Sequence, residues 1–410
     1  MICSLGGTPL EVWDALTSGK SGVKPIEGFD PSGFPCSFAA QGPSLVPSDL
    51  GIHPRDSRIM DTPAYLLMKC TQDAYLASGL VRASIPREEI GFFAALGMVD
   101  YEIDDLLPAV VKSLNPSGEL DYPSFYSRGY NEIHPLWPLS MLNNISFCQV
   151  ATSLNLQGEN TVFSPHADSG AMAVAEGMKA VLEERAQVAL CTGVAEKISP
   201  CSLARAHLSG TLNPADPTCK PFDRERKGTL LGEGCGTIGL ELYSSAKKRG
   251  ATCLASLSGY GFACERGDGF SNPTPRAIRL GMEEALARAG ARPSEVDLVI
   301  AHGEGSVAAD RNEIEALNQL FSSAFDGIHV FSSKGAIGHL LAGAPLADLI
   351  LGISMVREGF IPRTLGTSTP EPDLRFRLVH KEPVRKKLRK VLINAQSCEG
   401  QAASLLLEAL

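Results

Sequence analysis

Eleven cysteines and eight histidines carry the most reactive side chains of this chain, and their spacing limits what they can do together. No two cysteines form a C-x-x-C pair, and no cysteine–histidine group has zinc-finger spacing, so neither a metal nor another cofactor is expected. The cysteine count is odd, and Cys148, Cys191 and Cys235 sit in apolar stretches, which reads as buried, reduced thiols in a cytoplasmic protein. Two histidines stand in glycine-rich runs: His302 in AHGEGS (301–306) and His339 in KGAIGHLLAGA (334–344), which opens on Lys334. Imidazoles in such settings can hydrogen-bond a carbonyl or carry a proton near neutral pH.

Rigid elements must hold those residues. Strand-like apolar runs cover 90–96, 188–192, 235–240, 296–301 and 390–394, and helical patterns cover 170–185, 275–288 and 310–321. This alternation predicts an α/β protein with largely parallel, buried sheets. The charged stretch YSSAKKRG (243–250) lies between one strand and a further strand-like run at 252–259, and it divides the chain into halves of 1–245 and 246–410. No low-complexity linker separates them, so the halves are expected to pack as one unit. The formal charge of −9 argues against nucleic acid and against an anionic membrane as partners. No apolar run approaches the roughly 18 residues needed to span a bilayer. The opening MICSLGG has neither the basic nor the apolar region of a signal peptide.

Four stretches, in order and at matching spacing over essentially the whole chain, resemble the β-ketoacyl synthases of the thiolase-fold superfamily. PFDRERKGTLLGEG (221–234) resembles PFDxxRxGxxxGEG, and AHGEGS resembles AHGTST. KGAIGHLLAGA resembles KxxxGHxxxAxG, and NAQSCEG (394–400) stands where NSFGFGG is usual. The resemblance implies a thiolase fold, a duplicated five-layered α-β-α-β-α sandwich that is normally dimeric. It also implies a leading strand ahead of MICSLGG, which the sequence as given does not contain.

In that family a cysteine at the N-terminus of a buried helix accepts an acyl chain from acyl carrier protein. Two histidines then hold a malonyl thioester and promote its decarboxylation, beside a backbone oxyanion hole. Aligned on Gly158 and on the Ser169-Gly170 pair, GENTVFSPHADSG (158–170) puts Ala167 in the nucleophile slot. A methyl group forms no thioester. His166 is expected to point away on the opposite side of the turn, and Asp168 would give an anhydride that hydrolyses easily. The resemblance carries catalytic roles onto His302, His339 and Lys334, and structural ones onto Asp310 and Glu313. Lys334 is expected to pair with Glu313 or a neighbouring carboxylate. The first threonine of AHGTST, which contacts the pantetheine arm, is Glu304 here, a carboxylate costly to bury in a tunnel built for a neutral arm. The gate changes to Cys398, Glu399 and Gly400, followed by Gln401-Ala402. RKKLR (385–389) reads as a solvated face, with contact to an acidic carrier protein as the other reading.

Members without the cysteine resemble either chain-length factors, which pair with an active ketosynthase and limit its acyl tunnel, or loading ketosynthases, which decarboxylate malonyl-carrier protein. The chain-length-factor reading is favoured. The slot holds alanine and not glutamine, Glu304 and Glu399 would repel a malonyl carboxylate, and GAPLAD (343–348) resembles a segment of chain-length factors. The retained histidines favour the decarboxylase, and a purely structural partner is a third reading. The segment HPLWPLS (134–140) corresponds to the one that crosses the dimer axis, and Leu136 and Trp137 fall where a side chain would cap the partner's tunnel. The implied partners are thus an active ketosynthase subunit and, mainly through it, acyl carrier protein.

Overall fold

The computed structural model describes all residues except 102, 215, 268–271 and 323–327. One sheet is built from β1 (Ile2–Cys3), β2 (Ile90–Leu96), β3 (Asn160–Phe163), β4 (Val188–Val194) and β5 (Gly234–Glu241), in the order β1-β5-β4-β2-β3. A second contains β6 (Ser256–Cys264), β7 (Leu298–Ile300), β8 (His329–Phe331), β9 (Arg377–Leu378), β10 (Lys390–Gln396) and β11 (Gln401–Glu408), in the order β9-β8-β7-β10-β11-β6. Both sheets follow one plan. The first strand runs antiparallel to the last, the last antiparallel to the one before it, and the remaining neighbours are parallel. That shared plan is the structural trace of a duplication. The two sheets are largely parallel, as expected: β5 and β11 run against the rest, and every antiparallel contact within the two sheets involves one of them. β10 and β11 are joined by residues 397–400 alone, too short a link for a crossover, so they must be antiparallel.

Helices complete the layers. α1 (Thr62–Ala77) and α2 (Asn143–Leu154) cover the outer face of the first sheet. α3 (Ala167–Leu182) lies between the sheets, and α4 (Pro275–Arg288) and α5 (Val307–Leu320) cover the outer face of the second. α6 (Ala344–Glu358) packs beside α3 in the central layer and touches both sheets. The arrangement is an α-β-α-β-α sandwich. A helix between two sheets must be apolar or small all round; α3 meets that with buried Gly170, Ala171, Ala173, Val174, Ala175 and Gly177. It starts three residues before the expected 170, at Ala167, and α5 starts at Val307, because Ser306 caps it through Ala309 N at 3.4 Å.

Cys191 and Cys235 are buried as expected, but Cys148 is exposed on the outward side of α2, where the apolar stretch around it faces both ways. No helix among the described residues is long and apolar enough to cross a membrane. The PFDRERKGTLLGEG run holds loops together. Asp223 accepts from the backbone of Ser368 and Thr369, Arg226 pairs with Glu371, and Glu233 accepts from Gly42 and Ile198. In 385–389 the polar side chains lie at or near the surface, and Lys386 and Arg389 flank Asp297.

Candidate functional site

Chain segments leaving the carboxyl ends of strands converge on a cavity of about 90 Å³. Met98 follows β2, His166 and Ala167 follow β3, Glu196 follows β4, His302 follows β7, and Cys398 follows β10; all line it, as do Glu304 and His339. Loops at this end of an α/β sheet are the usual place for a ligand site, because the sheet fixes their roots while their tips can vary.

Ala167 is the first residue of α3 and is buried. Its methyl group therefore lies at the positive end of a helix dipole, an environment that would favour a thiolate were a thiol present. His166 occupies the N-cap position in extended conformation (φ −95°, ψ −176°) without a side-chain capping bond, and it does not point away. Its ring lines the cavity, with Nε2 3.6 Å from Cys398 Sγ and 3.7 Å from Glu399 Oε1. The expectation fails because the bend at 165–166, with His166 itself in extended conformation, carries its ring toward the cavity. Burial, then the carboxylates of Glu304 and Glu399, push the Cys398 thiol up to about 11, so it is no ready substitute nucleophile.

His302, Glu304 and His339 form the polar centre. Glu313 anchors the first of them by accepting from the backbone N–H groups of His302 (3.0 Å) and Gly303 (2.8 Å). Gly303 and Gly305 take φ of +41° and +85°, which lets the chain turn on either side of Glu304 and bring its side chain inward. The Glu304 side chain is buried, not solvated at a tunnel mouth. Ser306 donates to its Oε1 at 2.5 Å, and its Oε2 lies 3.6 Å from His302 Nε2 and 3.9 Å from His339 Nε2. Burial alone would raise its pKa. The nearby imidazoles and the hydroxyl outweigh burial and bring it to about 2, so it is ionised at neutral pH. Burial, with the neighbouring His302 and Lys334, keeps His339 well below the ordinary histidine range. Asp310 accepts from the N–H groups of Phe222 and Gly305, yet burial raises its carboxyl to about 8.

One ligand atom from each of His302, Glu304 and His339 lies within 4.8 Å of the others, close enough in position to hold a metal. The protonation pattern opposes it. His302 Nδ1 accepts the Gln396 N–H at 3.3 Å, which leaves the proton of the neutral ring on Nε2, the atom that faces Glu304. A metal-bound histidine has the reverse polarity, with its second nitrogen donating. The two imidazoles, with Nε2 of His302 carrying its proton toward the centre, are suited to hold an acceptor oxygen by hydrogen bonds.

Lys334 pairs with Asp348 at 2.5 Å, and not with Glu313, which the backbone of 302–303 already occupies. Asp348 is fixed in turn by the Ser333 hydroxyl at 2.6 Å. In the segment 397–401, Gly400 has a φ of +98°, and Ser397 N donates to Gln401 O at 2.9 Å to close the β10–β11 turn; Ala402 is buried in β11. Sequence reasoning missed Gln396, whose amide is buried at the cavity with neither polar atom partnered among the described residues. Its position in NAQSCEG, where a phenylalanine is usual, was the available signal.

Leu136 and Trp137 lie away from this centre. They line a second cavity of about 630 Å³ that shares Met98 and Glu196 with the first. Leu136 is exposed, whereas Trp137 is half-buried at the start of a short helix, Trp137–Ser140. Around them the exposed large apolar side chains concentrate in residues 98–142, among them Tyr101, Leu107, Val111, Tyr126 and Leu142. Among the described residues of this segment acidic groups outnumber basic ones, with Asp100, Asp104, Asp105, Glu119, Asp121 and Glu132 against Lys112 and Arg128. Asn143 ties the end of the segment to Ser164, just beyond β3, and β3 is the edge strand of its sheet.

Comparison with known proteins matches residues 1–246 to the β-ketoacyl synthase N-terminal domain and residues 254–368 to its C-terminal domain. The 3-oxoacyl-[acyl-carrier-protein] synthase 2 of Coxiella burnetii is 26% identical over 99% of this chain and 96% of its own length. The actinorhodin polyketide putative beta-ketoacyl synthase 1 of Streptomyces coelicolor is 27% identical over 98% of this chain and 85% of its own. Among solved structures, the ishigamide ketosynthase/chain length factor superposes with a TM-score of 0.86 at 25% identity, covering 100% of this chain and 97% of that one.

Proposed function

Since the chain belongs to the β-ketoacyl synthase family, we propose that it is a non-condensing partner of an active ketosynthase, of chain-length-factor type, in polyketide or fatty-acid-like biosynthesis. The observation that carries this is the methyl group of Ala167 at the head of α3, in a site that otherwise keeps both histidines and the Lys334–Asp348 pair. The partner supplies the thiol and receives the acyl carrier protein, and this chain shapes the tunnel in which the acyl chain grows.

The apolar face of 98–142 and the free edge of β3 support a subunit contact. An acidic face opposes a second copy of itself, which favours a related chain carrying basic residues at the matching place. Leu142 tests the contact. It is exposed and precedes α2 without capping it, so Leu142→Asp is expected to keep or slightly raise the stability of the isolated chain. The same change buries a charge in the complex, and affinity for the ketosynthase is expected to fall roughly tenfold or more. Unchanged affinity, measured by co-purification and titration, would remove this face from the contact.

A second reading, a malonyl-carrier-protein decarboxylase, draws on His302 and His339 facing one cavity with their rings 5.0 Å apart.

A further inference from the structure

The point on which the two histidines converge already holds an oxygen. Glu304 Oε2 lies 3.6 Å from Nε2 of His302 and 3.9 Å from Nε2 of His339. The Ser306 hydroxyl fixes the other carboxylate oxygen at 2.5 Å, and the residue is 4% exposed. Positive φ angles at Gly303 and Gly305 set the backbone on both sides of it, so the carboxylate is part of the loop's resting shape. Imidazoles aimed at one point form a receptor for a carbonyl, carboxylate or enolate oxygen. Here the receptor is filled from within. The cavity left beside it measures about 90 Å³.

We propose that Glu304 is a built-in occupant of this oxygen-binding site, and that it prevents the chain from binding and decarboxylating malonyl thioesters although both histidines are retained. The proposal deepens the partner reading above and rests on it, since an idle subunit that destroyed malonyl units would drain its partner's extender supply. In decarboxylation the bond between the malonyl Cα and its carboxyl carbon breaks and carbon dioxide leaves. The electron pair stays on Cα as an enolate, whose oxygen must be stabilised, and a proton from water then gives the acetyl thioester. Glu304 occupies the space between the two Nε2 atoms, 3.6 and 3.9 Å away, where such an oxygen would have to sit. It also places a negative charge beside a substrate that is anionic before and after the bond breaks, inside a buried site where water screens poorly.

The isolated chain is incubated with malonyl-carrier protein, and acetyl-carrier protein is followed by intact mass. Wild type is expected to stay at background. Glu304→Thr should exceed it on the order of 100-fold, the scale on which an oxyanion-binding group acts, and His302→Ala added to that variant should return it to background. Decarboxylation by wild type, or a folded Glu304→Thr that remains at background, would overturn the proposal. If the threonine variant does not fold, Glu304→Ala replaces it and calorimetry with an unreactive malonyl amide of pantetheine is the readout. Binding by that variant and not by wild type supports the proposal, and no difference between them overturns it. No partner is present in these assays, so their failure is distinct from failure of the partner reading, which is measured in the complex.

Discussion

Trp137→Ala, in a complex reconstituted from this chain, its ketosynthase and carrier protein, lengthens the product by roughly one or two two-carbon units while the overall rate is largely kept. An indole fills far more space than a methyl group, so its removal at a tunnel end leaves room for added methylenes. Trp137 and the more exposed Leu136 adjoin the apolar face of 98–142, and the cavity they line reaches Met98 and Glu196 at the rim of the central site. The Trp137 indole N–H is buried with no hydrogen-bond partner among the described residues. Truncating the side chain removes that unmet donor, which limits the loss of stability. Mass spectrometry of the products decides the matter. An unchanged length distribution from both Trp137→Ala and Leu136→Ala, in a complex shown to be intact, would dismiss the capping mechanism.

Asp348→Ala is expected to destabilise the isolated chain by about 3–5 kcal/mol, the cost of stranding one member of a buried ion pair. Lys334 and Asp348 each have side chains 1% exposed, so neither charge has water to fall back on. Asp348 also accepts from Ser333, which loses its partner in the same change. Replacing both charges, as Lys334→Met with Asp348→Leu, should recover most of the stability, because apolar groups of similar size often match a buried pair. Urea unfolding midpoints of the two variants measure this. Equal losses in the single and double variants would show that the pair is not what holds α6 against the 332–340 loop.

Much of this was legible in the residues. Strand 90–96 and helix 275–288 could be read directly, since an unbroken apolar run and a 3.6-residue period leave little choice. The resemblance, aligned on Gly158 and Ser169-Gly170, assigns Ala167 to the nucleophile slot, and the structure has Ala167 as the first residue of α3. What escaped depended on partners far apart in the chain. Whether Lys334 meets Glu313 or Asp348 is decided by which carboxylate the backbone of 302–303 consumes. The inward orientation of His166 depends on the bend at 165–166, and the burial of Glu304 on a hydroxyl two residues away and a histidine in another loop. Antiparallel pairing at the end of each half came from short links and long returns, which composition does not reveal.

The most direct test of the account loads the reconstituted pair with labelled acyl-carrier protein and takes intact masses of both subunits. A stoichiometric acyl adduct is expected on the ketosynthase and none on this chain, where α3 begins with the methyl group of Ala167. A stoichiometric acyl adduct on this chain, at Cys398 or at any other residue, would contradict it.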